Sequence, residues 1–168
     1  LSSGNSVLIV TKPRIDCIKS LCNELLEYKD KILFRFTIGS TSSEVLKFWE
    51  PNAPTFEERF AALWYAHENG FHTSISCEPF LDKTVEDLVQ ITRPYVTDSI
   101  WIGKANHLKA NLTLNKWTDD ETVICANELN ALYKSDYKFE LYKLYKDDAL
   151  IRWKDTLRSD FTAALKKC

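Results

Sequence analysis

Apolar and polar residues follow two rhythms along this chain. Val7-Leu8-Ile9-Val10-Thr11 is a continuous β-branched run, the form a strand takes when a parallel sheet covers both of its faces. After Pro13, a favoured helix-entry residue, Ile15, Ile18, Cys22, Leu25 and Leu26 recur at helical spacing. Ile32 to Thr37 predicts a second strand, followed by the hydroxyl-rich stretch Gly39 to Ser43 and a short helix ending at Pro51. Thr55 and Glu58 form a capping box. The helix it opens places Phe56, Phe60, Leu63, Trp64 and His67 on one face and stops at Gly70. A third strand is predicted over Phe71 to Cys77, a short helix over Thr84 to Ile91 and a fourth strand over Asp98 to Gly103. Thr118 with Glu121 reads as a second capping box, opening a helix that carries Cys125, Leu129 and Leu132.

Strand followed by helix, four times over, predicts an α/β fold with right-handed parallel crossovers. Four parallel strands do not close a barrel, which takes eight. The Gly-rich turn of a dinucleotide-binding sheet is absent, and four glycines in all leave no room for one. The expected architecture is therefore a partial TIM-type (β/α) barrel of four or so parallel strands over residues 1–136. Residues 137–168, rich in aromatics and irregular in pattern, are expected to form a C-terminal extension of strand or loop plus helical pieces, packed on the same domain.

Composition narrows the class. Hydrophobic residues make up 45% and charged residues 27%, as in a globular domain with a real core. No window approaches the roughly 18 uninterrupted apolar residues of a membrane span, and no signal segment opens the chain, so a cytoplasmic protein is expected. The net charge of −2 lacks the basic excess of a nucleic-acid binder; the one terminal basic pair is Lys166-Lys167. Cys17, Cys22, Cys77, Cys125 and Cys168 have no paired spacing, and Cys17 and Cys22 sit about 500° apart around a helix, which fits small core residues rather than disulfides or metal ligands. His67, His72 and His107 are scattered, so no metal site is expected, and the five tryptophans read as packing. The chain opens on Leu1 and contains no methionine, as expected of a processed or cut product.

In parallel α/β folds, functional groups gather where strands end. The four strands end in Thr11-Lys12, in Thr37-Ile38-Gly39-Ser40, in Cys77-Glu78-Pro79 with Asp82 behind, and in Gly103-Lys104-Ala105-Asn106. Lys12 suits a carboxylate or phosphate, Thr37 and Ser40 suit ribose hydroxyls, and Glu78 can accept from an amine or hydroxyl. A polar molecule bearing both charges fits this rim, and so does plain solvent. Glu50 before Pro51 reads first as a helix terminator.

The order of landmarks adds a resemblance. Thr11-Lys12, the Phe34 to Ile38 strand, Glu50-Pro51, Arg59, Gly70-Phe71 and Pro79 follow one another as in the radical S-adenosylmethionine (radical SAM) enzymes of the spore photoproduct lyase, or DNA repair photolyase-like, group. The resemblance covers about residues 6–82, with looser echoes at Ile100 to Gly103 and Ile151 to Lys154. It implies the later part of a radical SAM barrel, in which a [4Fe–4S] cluster cleaves S-adenosylmethionine so that a 5′-deoxyadenosyl radical abstracts hydrogen. By position it implies that Lys12 contacts the SAM carboxylate, that Thr37 lines the pocket with Ser40 and Arg59, and that Glu78 passes the adenosyl moiety. Asp82, Lys104 and Asn106 are then candidates for the substrate. The chain lacks the CxxxCxxC loop, so the cluster and the first two or so βα units are expected in a missing N-terminal half, without which this part is inactive. Glu78 stands where the group has a small residue, which implies a different substrate.

Two other readings compete. A half barrel exposes sheet edges, which suits a non-catalytic binding or self-assembly module that forms homo-oligomers. Glu78 and Asp82 could also serve as the acid/base pair of an iron-independent, hydrolase-like enzyme.

Overall fold

The computed structural model describes residues 1–165. Lys166, Lys167 and Cys168, noted above as a basic pair and a cysteine, lie outside the described residues. Five strands form one sheet: β1 (Val7–Thr11), β2 (Ile32–Thr37), β3 (His72–Cys77), β4 (Ile100–Ile102) and β5 (Ile151–Trp153). They lie in the order β1-β2-β3-β4-β5 and every neighbouring pair is parallel. A doubly wound sheet reverses its strand order at a switch point; this sheet has no reversal. Among the described residues, β1 and β5 each pair on one side only.

Among the described residues, eight α-helices connect and cover the strands: α1 (Ile15–Glu24), α2 (Ser43–Trp49), α3 (Phe56–Glu68), α4 (Val85–Thr92), α5 (Leu108–Leu114), α6 (Asp120–Lys134), α7 (Tyr137–Tyr145) and α8 (Asp155–Leu165). Alternation along the strands divides the sheet into two faces. Phe34, Phe36, Ile75, Cys77, Ile100, Ile102 and Ile151 enter one buried cluster with the helix residues Ile18, Cys22, Leu46, Leu63 and Leu88. The opposite face carries Leu8, Val10, Arg35, Thr37, Trp101 and Arg152. It is open, with Leu8 and Val10 at 48% and 57% exposure.

Several expectations are corrected. The strand expected in the tail is Ile151–Trp153, and it joins the same sheet as a fifth strand paired with β4. The fourth strand shrinks to Ile100–Ile102; just before it, the Ser99 carbonyl accepts from both the Ile75 amide at 2.9 Å and Ser74 Oγ at 2.7 Å. Helix α5 has no counterpart in the apolar pattern; most of its residues are exposed. The cap of α6 is Asp119, which accepts from the Thr122 amide at 2.9 Å, one residue beyond the expected Thr118. Thr55 caps α3 as expected, accepting from the Glu58 amide at 3.3 Å, but Glu58 accepts from the Ile15 amide and so pins α1 to α3. The buried stripe of α3 is Arg59, Ala62, Leu63 and Ala66, while Trp64 faces solvent.

Candidate functional site

The rim at the C-terminal ends of the strands is built by close approach. The loop after β3 threads between β2 and β4: the Leu81 amide donates to the Gly39 carbonyl and the Phe80 amide to the Gly103 carbonyl, both at 2.9 Å. Both contacts need glycine. A Cβ on Gly39 would stand 2.5 Å from the Pro79 carbonyl oxygen. A Cβ on Gly103 would stand 2.8 Å from Lys154 Cβ and 3.0 Å from Glu78 Cγ. Its absence lets Glu78 reach across β4 to Lys154, Oε2 to Nζ, at 2.8 Å.

Lys12, Glu78, Lys104 and Asn106 line one cleft of about 480 Å³, walled on its far side by α5 and Trp117. Extending the β1–β2 register by one residue sets Lys12 opposite Thr37, and Thr37 is paired with Ser76. Lys12 Nζ lies 2.9 Å from Glu50 Oε1, with its side chain 45% exposed. Glu50 Oε2 lies 2.6 Å from Arg59 Nη2. Arg59 donates further to the Pro54 carbonyl at 2.8 Å and to the Thr37 carbonyl at 3.0 Å. A single buried guanidinium therefore fixes the end of β2, the end of α2 and, through Glu50, the ammonium of Lys12.

The structure sorts the expected site residues. Lys12, Glu78, Lys104 and Asn106 come together in the cleft. Thr37 is adjacent in the sheet but is not part of the cleft wall. Arg59 is fully buried and braces the rim from behind. Ser40, also buried, donates to Asp82 Oδ2 at 2.5 Å and accepts from the Ser42 amide at 2.8 Å. Asp82 accepts in addition from the Thr84 amide and hydroxyl, at 2.9 and 2.6 Å. Ser40, Asp82 and Thr84 thus tie two loops together. Asp82 faces a second, largely apolar groove between α2 and α6, so it and Glu78 do not share a cavity.

Lys104 Nζ is 2.6 Å from Asp160 Oδ2, which also takes Lys138 Nζ at 2.8 Å. Burial alone would raise the Asp160 carboxyl, but hydrogen bonds from the two lysines hold it below the ordinary aspartate range. One carboxylate against two ammonium groups leaves this flank of the cleft positive by one charge. The Lys12–Glu50–Arg59 triad leaves the other flank positive by one as well. Burial pushes up the thiol of Cys77, with a further rise from nearby Asp82, and pushes up the phenols of Tyr133 and Tyr137, so none of the three ionises near neutrality. Among the described residues, no set of three His, Cys, Asp or Glu groups could hold a metal ion.

Glu50 and Lys154 were not legible as site residues. Glu50 looked like a helix stop, and no local signal betrays its partners 38 residues upstream and nine downstream. Lys154 follows Arg152 at strand spacing, which a three-residue strand is too short to advertise. No helix among the described residues is long and apolar enough to cross a membrane. No family model, curated protein or solved structure matches the chain.

Proposed function

We propose that this chain is the later part of a radical SAM barrel, supplying one wall of the S-adenosylmethionine pocket and part of the substrate rim. One observation carries the reading: a lysine, a glutamate and an asparagine from the ends of β1, β3 and β4 line a single cleft on an all-parallel, sequentially ordered sheet. The two positive flanks suit a ligand with an anionic group. In this reading Lys12 holds the methionyl carboxylate, with Glu50 and Arg59 setting its position. Glu78 faces the nucleoside side, Thr37 stands beside the cleft at the neighbouring strand end, and Lys104 and Asn106 face the substrate. Bound S-adenosylmethionine supplies hydrogen-abstraction chemistry when it is cleaved at a reduced [4Fe–4S] cluster. The residues of this chain do not fit the cluster itself, so its ligands fall to an N-terminal partner half, and the role of this chain is binding and orientation in a cytoplasmic enzyme.

Two ligands test the reading by titration calorimetry. S-adenosylhomocysteine carries the amino-acid carboxylate and 5′-methylthioadenosine does not. The expected result is tighter binding of the first, by about ten-fold or more, as one charge-assisted contact supplies. Absence of binding by both ligands overturns the reading. In the iron-reconstituted, dithionite-reduced parent protein, 5′-deoxyadenosine is the expected product.

The self-assembly reading draws on a different observation. β1 is an edge strand with Leu8 and Val10 exposed and no charge or proline within it, which favours pairing with another strand. Light scattering that reports a concentration-dependent oligomer, together with no response to S-adenosylhomocysteine, selects this reading.

A further inference from the structure

Helices α2 and α6 stand on either side of a groove of about 480 Å³, floored by Leu81 from the loop after β3. Val45, Phe48 and Trp49 line it from α2 at the i, i+3, i+4 spacing of one helix face. Cys125, Leu129 and Leu132 line it from α6 at i, i+4 and i+7. Of these six only Leu129 is buried, so two apolar stripes lack a cover. The rim is acidic. Glu44 on α2 and Glu128 on α6 are both exposed, and neither has an ion-pair or hydrogen-bond partner among the described residues. Asp82 adds a third carboxylate. Lys83 is the one cation of the lining among the described residues, and its Nζ stands 6.0 Å from the Tyr137 ring centroid. Burial raises the Cys125 thiol, and the carboxylates of Glu128, Glu121 and Asp119 raise it further, so their field falls on the apolar stripe itself. The groove thus carries the sign opposite to the Lys12 cleft, with which it shares Trp49, Leu81 and Leu129.

We propose that this groove is the docking site for a basic amphipathic helix of a partner protein, its apolar residues seated on the floor and its lysine or arginine side chains meeting Glu44 and Glu128. The sign of the rim chooses this occupant, because opposite charges across an interface steer encounter and like charges reject a wrong partner. An anionic membrane surface or a nucleic acid would meet three carboxylates against one ammonium here. The walls choose a helix over an extended segment. An added strand takes its affinity from backbone hydrogen bonds to a free sheet edge, whereas the backbone groups along α2 and α6 pair within each helix. A docking helix pairs its own backbone and offers side chains at i, i+4 and i+7, the spacing of Cys125, Leu129 and Leu132. The proposal goes beyond the nucleoside cleft and stands whether or not that cleft binds S-adenosylmethionine.

The test titrates the whole chain into three fluorescent peptides of roughly five helical turns, read by anisotropy. The first carries leucine at i, i+4, i+7 and i+11 with lysine on the flanking positions. The second replaces each lysine by glutamate, and the third keeps the lysines and replaces each leucine by serine. The expected result is saturable binding of the first, tighter than either of the others by about ten-fold or more. Glu44→Lys with Glu128→Lys changes exposed side chains only and is expected to keep the thermal midpoint while turning the preference toward the glutamate peptide. No binding of the first peptide, equal binding of the serine peptide, or a preference that survives the double change overturns the proposal. So does light scattering that reports a dimer lost on the double change, which makes a second copy the occupant.

Discussion

Glu50 and Arg59 meet at 2.6 Å beneath the rim, the guanidinium with no exposed surface and the carboxylate one-tenth exposed. Each other hydrogen bond of Arg59 recorded above goes to a backbone carbonyl, so Glu50 is its counter-charge. Breaking such a buried pair from one side strands a charge, at a cost of about 3–5 kcal/mol. Glu50→Gln is therefore expected to lose most of that in urea unfolding. The double change Glu50→Gln with Arg59→Met is expected to recover part of the loss. If Glu50→Gln alone costs under about 1 kcal/mol, the pair does not brace the rim as described.

Lys12 sits at the solvent end of the same relay. Its pair with Glu50 is half exposed on the lysine side, and exposed pairs contribute about 0–1 kcal/mol. Lys12→Ala should leave the unfolding midpoint nearly unchanged. In the proposed function it should also bring the affinity for S-adenosylhomocysteine down to that for 5′-methylthioadenosine. Calorimetry on both ligands separates a lost carboxylate contact from general damage, which weakens both.

The glycines of the rim should rank by what their missing Cβ would meet. Gly39→Ala meets a backbone oxygen at 2.5 Å, which cannot move without shifting the whole β3–α4 loop. Gly103→Ala meets Lys154 Cβ at 2.8 Å, an atom fixed by the backbone just after β5, so relief needs that strand end to shift and costs the Glu78 contact. Overpacking costs about 1–3 kcal/mol, and Gly39→Ala belongs at or above the upper end. Thermal unfolding of the two variants side by side checks the order; equal losses contradict it.

Acid should weaken the fold through Asp148 and Asp160. A hydrogen bond from Arg93 holds Asp148 below its ordinary value of 3.8, and Asp160 is held low against its burial by Lys104 and Lys138. A depressed carboxyl gives stability that is fully present above its unfolded value and is lost as pH falls through the folded one. Asp160→Asn is thus expected to lower stability at pH 7 and to converge with the parent as pH falls through the folded value, below 3.8. An unchanged gap across that range rules out the linkage.

Thiol labelling maps burial independently. Cys17 is exposed, whereas burial raises the Cys22 thiol to about 11 and Cys77 further still. Iodoacetamide at pH 8 should modify Cys17 in the folded protein and reach Cys22 and Cys77 only in denaturant, read by peptide mass spectrometry. Fast labelling of Cys77 in the native state contradicts the burial of β3 beneath the helices.

How much of this was legible depends on whether the signal was local. β1, β2 and β3 announce themselves as β-branched or aromatic runs ending in polar residues, and Thr55 marks α3 with its own hydroxyl. Lys12, Glu78 and Asn106 were found because a parallel sheet delivers every strand end to the same rim. Arg59 was expected to line the pocket and instead braces the rim from behind, in line with Ala62, Leu63 and Ala66, because its partners Glu50 and the Thr37 carbonyl lie on other elements. Ser40 and Asp82 looked like ligand groups and instead satisfy each other, since the complementarity that suits a ligand also suits a neighbouring loop. Glu50 gained its meaning only from residues distant in sequence.

The sequential strand order has a consequence for how the protein is made. Each strand docks on the edge its predecessor leaves, so the sheet can lengthen as the nascent chain emerges. The intervals are uneven: Val7 waits 25 residues for Ile32 and Ile75 waits 25 for Ile100, but Ile100 waits 51 for Ile151. Closing long intervals slows folding. The unpartnered edge of β4 is thus the longest-lived vulnerability during synthesis, and the stretch from α5 to α7 is the span over which a chaperone would have most to protect.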